Sequence, residues 1–190
     1  MVNHSAGQRK GVTATATIFN MDGKQVKRLT KRMDSPEDTT LPWTKLSRLV
    51  AAAPSDVYFL RLQLTDKKDV ISENLYILGR NEGDYRALNN RTKAQVHQQV
   101  SISSAGDTQT ATVMLSNTSD VPAVFLRLNL KGTPRCMASG GIQPDNRQIL
   151  PATYSDNYIT LMPGETTTVT ISWKLQDAHG MQPYVEITEL

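Results

Sequence analysis

The sequence predicts an all-β fold built as two antiparallel β-sandwiches in tandem, and three observations carry that prediction. Segments with an apolar residue at every second position follow one another along most of the chain, each bounded by Gly, Pro, Asp or Asn turns. No ten-residue helical pattern alternates with them, which argues against a βα barrel or a dinucleotide-binding fold. The length, 190 residues, suits two sandwiches of roughly 100 residues each.

Each element has its own justification. GVTATATIF sets Val12, Ala14, Ala16 and Ile18 against Thr13, Thr15 and Thr17, a half-buried strand rich in β-branched residues. Asn20-Met21-Asp22-Gly23-Lys24 reads as a hairpin turn, since Asp-Gly takes positive φ at low cost. QVKRLTKRM fits a strand with Val26, Arg28, Thr30 and Arg32 on one face, or a helix with a basic stripe; the preceding turn favours the strand. A polar loop, LPWTKLSRLV and a break at Pro54 lead into DVYFLRLQL, where Tyr58, Leu60, Leu62 and Leu64 share a face. TDKKD is a turn and VISENLYIL a further strand.

From Gly79 to Lys93 the apolar pattern lapses, which places a linker at 81–93, between a first sandwich over 1–80 and a second over 94–190. Charge supports a boundary there: Met1 to Thr92 holds 15 basic and 10 acidic residues, Lys93 to Leu190 6 and 8. The second half then runs QVHQQVSIS, the turn SAGDT, TATVMLSN, and VPAVFLRLNL with Val124, Leu126, Leu128 and Leu130 on one face. A long irregular span, Lys131 to Asn146, precedes ITLMPGETTTVTISWKL, a strand, a Pro-Gly turn and a strand; PYVEITE closes the chain.

The word FLRLxL occurs twice, at Phe59–Leu64 and Phe125–Leu130. The first lies late in its half and the second third in its half, whereas true repeats fall at equivalent places. The two are strands of one kind, each burying leucines on one face, and not a duplicated domain.

Chemistry is sparse. Glu73, Glu165, Glu186 and Asp156 sit on strands or turns with nothing to pair them, as hydrolysis by two carboxyl groups requires. His4, His97 and His179 lack metal-ligand spacing, and the single cysteine, Cys136, has no local His partner, so neither a metal nor another cofactor is expected. The basic group Lys24, Lys27, Arg28, Lys31 and Arg32 has no interleaved aromatics, so it does not predict nucleic-acid binding. No apolar run approaches the roughly 20 residues that span a bilayer, and no membrane partner is expected. TYSDNYITL sets Tyr154, Asp156, Asn157 and Tyr158 side by side. That combination either stacks and hydrogen-bonds a sugar or forms a strand corner whose tyrosines pack inward.

The segment TYSDNYITLMPGETTTVTISW resembles a signature near the C-terminus of glycoside hydrolase family 2 enzymes of the β-mannosidase and exo-β-glucosaminidase type. There W/Y-S-D-N-Y/F is followed by apolar residues and P-G-E, matched by Tyr154, Ser155, Asp156, Asn157, Tyr158, Pro163, Gly164 and Glu165. GVTATATIFNMDGK and DVYFLRLQLTDKKDVISENLYIL are similar to upstream segments of the same family, in the same order. The resemblance implies two immunoglobulin-like sandwiches, accessory to a catalytic (β/α)₈ barrel that would be their partner. It also implies β-linked carbohydrate as the parent's substrate and an exported bacterial parent. The family's catalytic glutamates lie in that barrel, so no residue of this sequence inherits their role. Further strands precede the TATA strand in the family; here only MVNHSAGQRK does, with Val2-Asn3-His4 resembling a strand tail. The first sandwich is therefore expected to be incomplete at its N-terminus, with an exposed sheet edge that invites self-association or is covered by a rearranged N-terminus.

Overall fold

A computed structural model describes residues 2–4, 6–45, 47, 51, 55–133 and 147–189. Cys136, Pro54 and most of the irregular span after Lys131 lie outside the described residues. The chain divides into two compact units, Met1–Thr92 and Lys93–Leu190.

In the first unit the alternating segments form β1 (Arg9–Phe19), β2 (Gln25–Ser35), β3 (Val57–Asp66) and β4 (Asp69–Gly79). They make one antiparallel sheet in the order β2-β1-β3-β4. The hairpin turn is as expected: Gly23 has φ 76°, and the Asn20 side chain accepts a hydrogen bond from Lys24 N. Among the described residues this unit is a single layer. Ala16, Ile18, Tyr58 and Leu60 form its core, with Leu29, Trp43, Leu62 and Leu78 packed against them. The N-terminal segment is tied to the end of β2 and the loop after it: the Asn3 amide donates to Ser35 O, and Val2 bridges Thr40.

The threonines of β1 depart from the expected half-buried pattern. Thr15 and Thr17 are buried as well as Ala14, Ala16 and Ile18. β1 has a neighbour on each side, so Thr17 lies between Arg28 and Arg61, and Thr15 between Thr30 and Gln63. The aliphatic stems of such long side chains cover small residues on a central strand. The basic segment is strand β2, at the sheet edge, with Lys27 and Lys31 on one face and Arg28 and Arg32 on the other. Charges along an edge oppose pairing with another chain.

The stretch 81–93 contains a 3₁₀ helix, Glu82–Asn90, that sequence reading omitted. The Asp84 carboxylate accepts from Asn81 N at 2.7 Å, a capping interaction that an Asn-x-x-Asp pattern could have signalled. The helix lies against β3 and β4, with the Tyr85 ring over Gly79, where a Cβ would come within 3.2 Å of it.

The second unit is a two-layer sandwich. One sheet has the order β5-β6-β11-β9: β5 (Val96–Ala105), β6 (Thr108–Asn117), β11 (Thr166–Lys174) and β9 (Ala152–Tyr154). The other runs β10-β7-β12, from β10 (Ile159–Leu161), β7 (Ala123–Thr133) and β12 (Gln182–Glu189), with β8 (Arg147–Gln148) also paired to β7. Val113, Leu115, Val169, Ile171 and Trp173 from the first sheet meet Leu126, Leu128, Leu130 and Val185 from the second. Burying side chains of this size contributes about 1.5–3 kcal/mol each, which makes this interface the main source of stability.

The two FLRLxL words occupy different environments. Phe59 is fully buried, whereas Phe125 is 38% exposed with φ 53°. The register of β10 on β7 shifts between Ile159↔Leu126 and Leu161↔Ala123, a bulge that turns the Phe125 side chain outward while the leucines stay inside.

Candidate functional site

The segment Tyr154–Tyr158 is the place where the chain leaves one sheet of the second unit and enters the other. Tyr154 ends β9, paired to β11, and Ile159 begins β10, paired to β7. Four residues make the crossing, and each backbone or side-chain group that meets a sheet has a partner.

Ser155 extends the first sheet by one step. Its N donates to Thr170 O at 2.9 Å, and its Oγ accepts from Thr170 N at 2.9 Å, standing in for a strand carbonyl. Asn157 does the same for the second sheet. Its Oδ1 accepts from Leu128 N at 2.8 Å and its Nδ2 donates to Leu128 O at 3.0 Å. A side-chain amide thus reproduces the donor and acceptor of a strand residue, in the gap along β7 between β10 and β8. The Tyr154 hydroxyl accepts from Leu130 N at 2.9 Å, and Ile149 N donates to Leu130 O at 3.0 Å. That whole edge of β7 is therefore satisfied, by short strands at its ends and by side chains in the middle, as shielded backbone groups require.

The sequence offered two readings of Tyr154, Asp156, Asn157 and Tyr158, and the geometry separates the four. Tyr154 and Asn157 are half-buried and hold the two sheets together. Asp156 is exposed, with Oδ1 accepting from Asn157 N at 2.7 Å. Tyr158 is 53% exposed and has φ 56°, a left-handed conformation unfavourable for a residue with a Cβ. On the facing strand, Phe125 combines exposure with the same backbone conformation. An exposed aromatic held in a strained conformation adds little to folding and marks a surface worth testing for function.

The other carboxylates singled out in the sequence have local partners. Glu186 Oε2 meets Lys131 Nζ at 2.7 Å, and this lysine holds the Glu186 carboxyl below its ordinary range. Glu165 Oε2 accepts from Met162 N at 2.9 Å, fixing the Pro-Gly turn. Glu73 pairs with Arg61 Nε at 3.3 Å. Among the described residues no three His, Cys, Asp or Glu side chains gather as a metal site would require.

Sequence reading missed two groups. Asn117, 1% exposed, donates to Val121 O at 2.8 Å and to Leu161 O at 3.0 Å, and accepts from Ser119 N at 3.1 Å. It joins β6 to the loop before β7 and to β10. Glu189 accepts from Ala94 N and Val124 N, each at 3.0 Å, fastening the end of β12 to the start of β7. Glu189 has no local signal, because its partner Ala94 lies 95 positions away. Asn117 could have been read as a turn residue from Ser119 and Val121 close by, but its bond to Leu161, 44 positions on, could not.

A family model described as the exo-beta-D-glucosaminidase Ig-fold domain matches residues 74–190, from within β4 to the end of the chain. The exo-beta-D-glucosaminidase of Arthroderma benhamiae is 32% identical over 87% of this chain and 19% of its own length. That of Amycolatopsis orientalis is 27% identical over 99% of this chain and 19% of its own. The mannosylglycoprotein endo-beta-mannosidase of Lilium longiflorum is 46% identical, over 23% of this chain and 4% of its own. Among solved structures, the Amycolatopsis orientalis exo-chitosanase CsxA superposes with a TM-score of 0.77 at 24% identity, over 99% of this chain and 24% of that one. The chain spans about a fifth of the length of the curated relatives.

Proposed function

The chain belongs to the exo-beta-D-glucosaminidase Ig-fold domain family, and from that premise we propose that it is a non-catalytic accessory portion of a family 2 exo-acting β-glycosidase. In this reading the immunoglobulin-like sandwich braces a catalytic barrel, and the chain carries no acid/base or nucleophile of its own. One observation supports it above the rest: the polar groups of Tyr154, Ser155 and Asn157 are engaged in joining two sheets, not presented toward a ligand. Exo-β-glucosaminidase is the preferred parent activity, since the relatives aligned along most of the chain carry that name, whereas the mannosidase likeness is confined to 43 residues.

The test is the size of the native polypeptide in source cells, blotted with an antibody raised to this chain. A band several times larger than 21.0 kDa is expected, with no hydrolysis of an aryl β-D-glucosaminide by the chain alone. A native band at 21.0 kDa, or turnover by the isolated chain, would overturn the proposal.

A second reading rests on Tyr158 and Phe125. Both are exposed aromatics suited to stacking on a pyranose face, and the exposed Asp156 carboxylate suits hydroxyl or amino groups. Here the sandwich binds β-linked sugar by itself. Titration calorimetry with a β-linked glucosamine oligosaccharide would detect binding that Tyr158→Ala removes without unfolding the protein. The absence of heat at millimolar sugar would dispose of this reading.

A further inference from the structure

Among the described residues the second unit presents four sheet edges, and three of them carry features that oppose strand pairing. β12 contains Pro183, Glu186 and Glu189. On the far side of β7 the edge is broken into β10 and β8, of 3 and 2 residues. β9 has 3 residues and follows Pro151. Proline, charge and shortness are the usual protections of an edge.

β5 has none of them. It runs for 10 residues, VHQQVSISSA, without a charged residue, a proline or a glycine. Its register on β6 is unbroken from Val96↔Asn117 to Ala105↔Thr108, so no bulge twists the edge away. Every residue except Val96 and Val100 is exposed, including Ile102 at 42%, although Ile102 belongs to the face that packs inward. Its outward face, His97, Gln99, Ser101 and Ser103, continues into the exposed, uncharged row of Thr112 and Met114 on β6.

We propose that β5 is an interaction edge that pairs with β5 of a second copy of this chain, the two strands running antiparallel about a twofold axis at Ser101. The strand is self-complementary in that arrangement. Ser101 faces Ser101, Gln99 faces Ser103, and Val100 faces Ile102 twice, so the exposed isoleucine gains an apolar neighbour on the inward side in both copies. With no charge on the strand, no like charges meet. An axis at Val100 would instead set Ile102 against Gln98. The pairing continues the β5-β6-β11-β9 sheet across the axis into an eight-stranded one, and it does not depend on the accessory role proposed above.

The test is sedimentation velocity of the full 190-residue chain over a concentration series up to millimolar, with Ser101→Lys and, on the edge strand of the first unit, Val70→Lys. A concentration-dependent dimer is expected. Ser101→Lys sets two cations against each other on the axis and should weaken it roughly tenfold or more, with an unchanged unfolding midpoint, because Ser101 is an exposed outward residue. Val70→Lys should leave the dimer intact. Cross-linking fixes the register: in a Cys136→Ser background, Ser101→Cys should oxidise to a covalent dimer and Ala105→Cys, which faces His97, should not. Monomer at every concentration, a dimer indifferent to Ser101→Lys, or one abolished by Val70→Lys alone would each overturn the proposal, the last by moving the interface to the first unit.

Discussion

Replacing Asn157 by alanine should unfold the second unit more readily, by an amount that follows from its two hydrogen bonds. The substitution leaves Leu128 N and Leu128 O without their partners at 2.8 and 3.0 Å. A fully buried unsatisfied group costs about 1–3 kcal/mol. These bonds are half-buried, so the lower half of that range, about 1–2 kcal/mol, applies to each, and the sum is about 2–4 kcal/mol. Urea unfolding read by Trp173 fluorescence measures it, in a Trp43→Phe background so that the signal reports the second unit alone. Trp173 is buried, and its Nε1 donates to Gln109 Oε1 at 3.1 Å, which gives a clear change on unfolding. Asn157→Asp adds a pH signature. The shape is kept, but an ionised carboxylate can only accept, and it sets an oxygen against Leu128 O. The neutral carboxyl can donate there, so folding raises the pKa of the introduced group above its unfolded value near 3.9. Its favourable contribution is then fully present below the unfolded pKa and is lost as pH rises through the folded one. Taken as a difference from the parent at each pH, Asn157→Asp should be least damaging in acid. An alanine cost below about 0.5 kcal/mol, or an Asn157→Asp difference flat with pH, would refute the claim that this amide completes the β7 edge.

Other perturbations test the remaining geometry. Tyr154→Phe deletes only the hydroxyl on Leu130 N and should cost about 1 kcal/mol in the same assay. Tyr158→Asn removes an aromatic from a left-handed position that Asn tolerates, so stability should stay level or rise by up to about 1 kcal/mol; a larger loss would mean that the ring packs structurally. Gly132→Ala brings a Cβ to 2.7 Å from Met181 Cβ and should cost about 1–3 kcal/mol, recovered in part by Met181→Gly in a double-mutant cycle. The Glu186 carboxyl, held low first by its hydrogen bond to Lys131, should titrate below an ordinary glutamate by NMR and return toward it in Lys131→Met. Because its folded pKa is depressed, its contribution to stability is present above the unfolded pKa and disappears as pH falls through the folded value.

Much of the fold was legible in the chain because its signals are local. Val12-Ala14-Ala16-Ile18 and Leu126-Leu128-Leu130 announce strands through period two alone, and the residues they bury are those expected. The turns at Gly23, Gly106 and Gly164 each needed the positive φ that their glycines supply at low cost. The Tyr154–Tyr158 segment could be singled out from residue types, but not resolved, because a tyrosine that holds a strand and a tyrosine that holds a sugar are spelled alike.

Tertiary structure settled what depends on distant partners. Nothing in TYSDNY says that Tyr154 belongs to one sheet and Ile159 to the other; β11 and β7 decide that from opposite layers of the sandwich. Asn157 is a structural residue only because Leu128, 29 positions earlier, is brought beside it. Thr15 and Thr17 are buried only because β2 and β3 flank their strand. Backbone preference and side-chain period act within a few residues and can be read from the chain. Strand order, the shielding of a face and the satisfaction of an edge arise from groups far apart in sequence, and exist only once the sheets are formed.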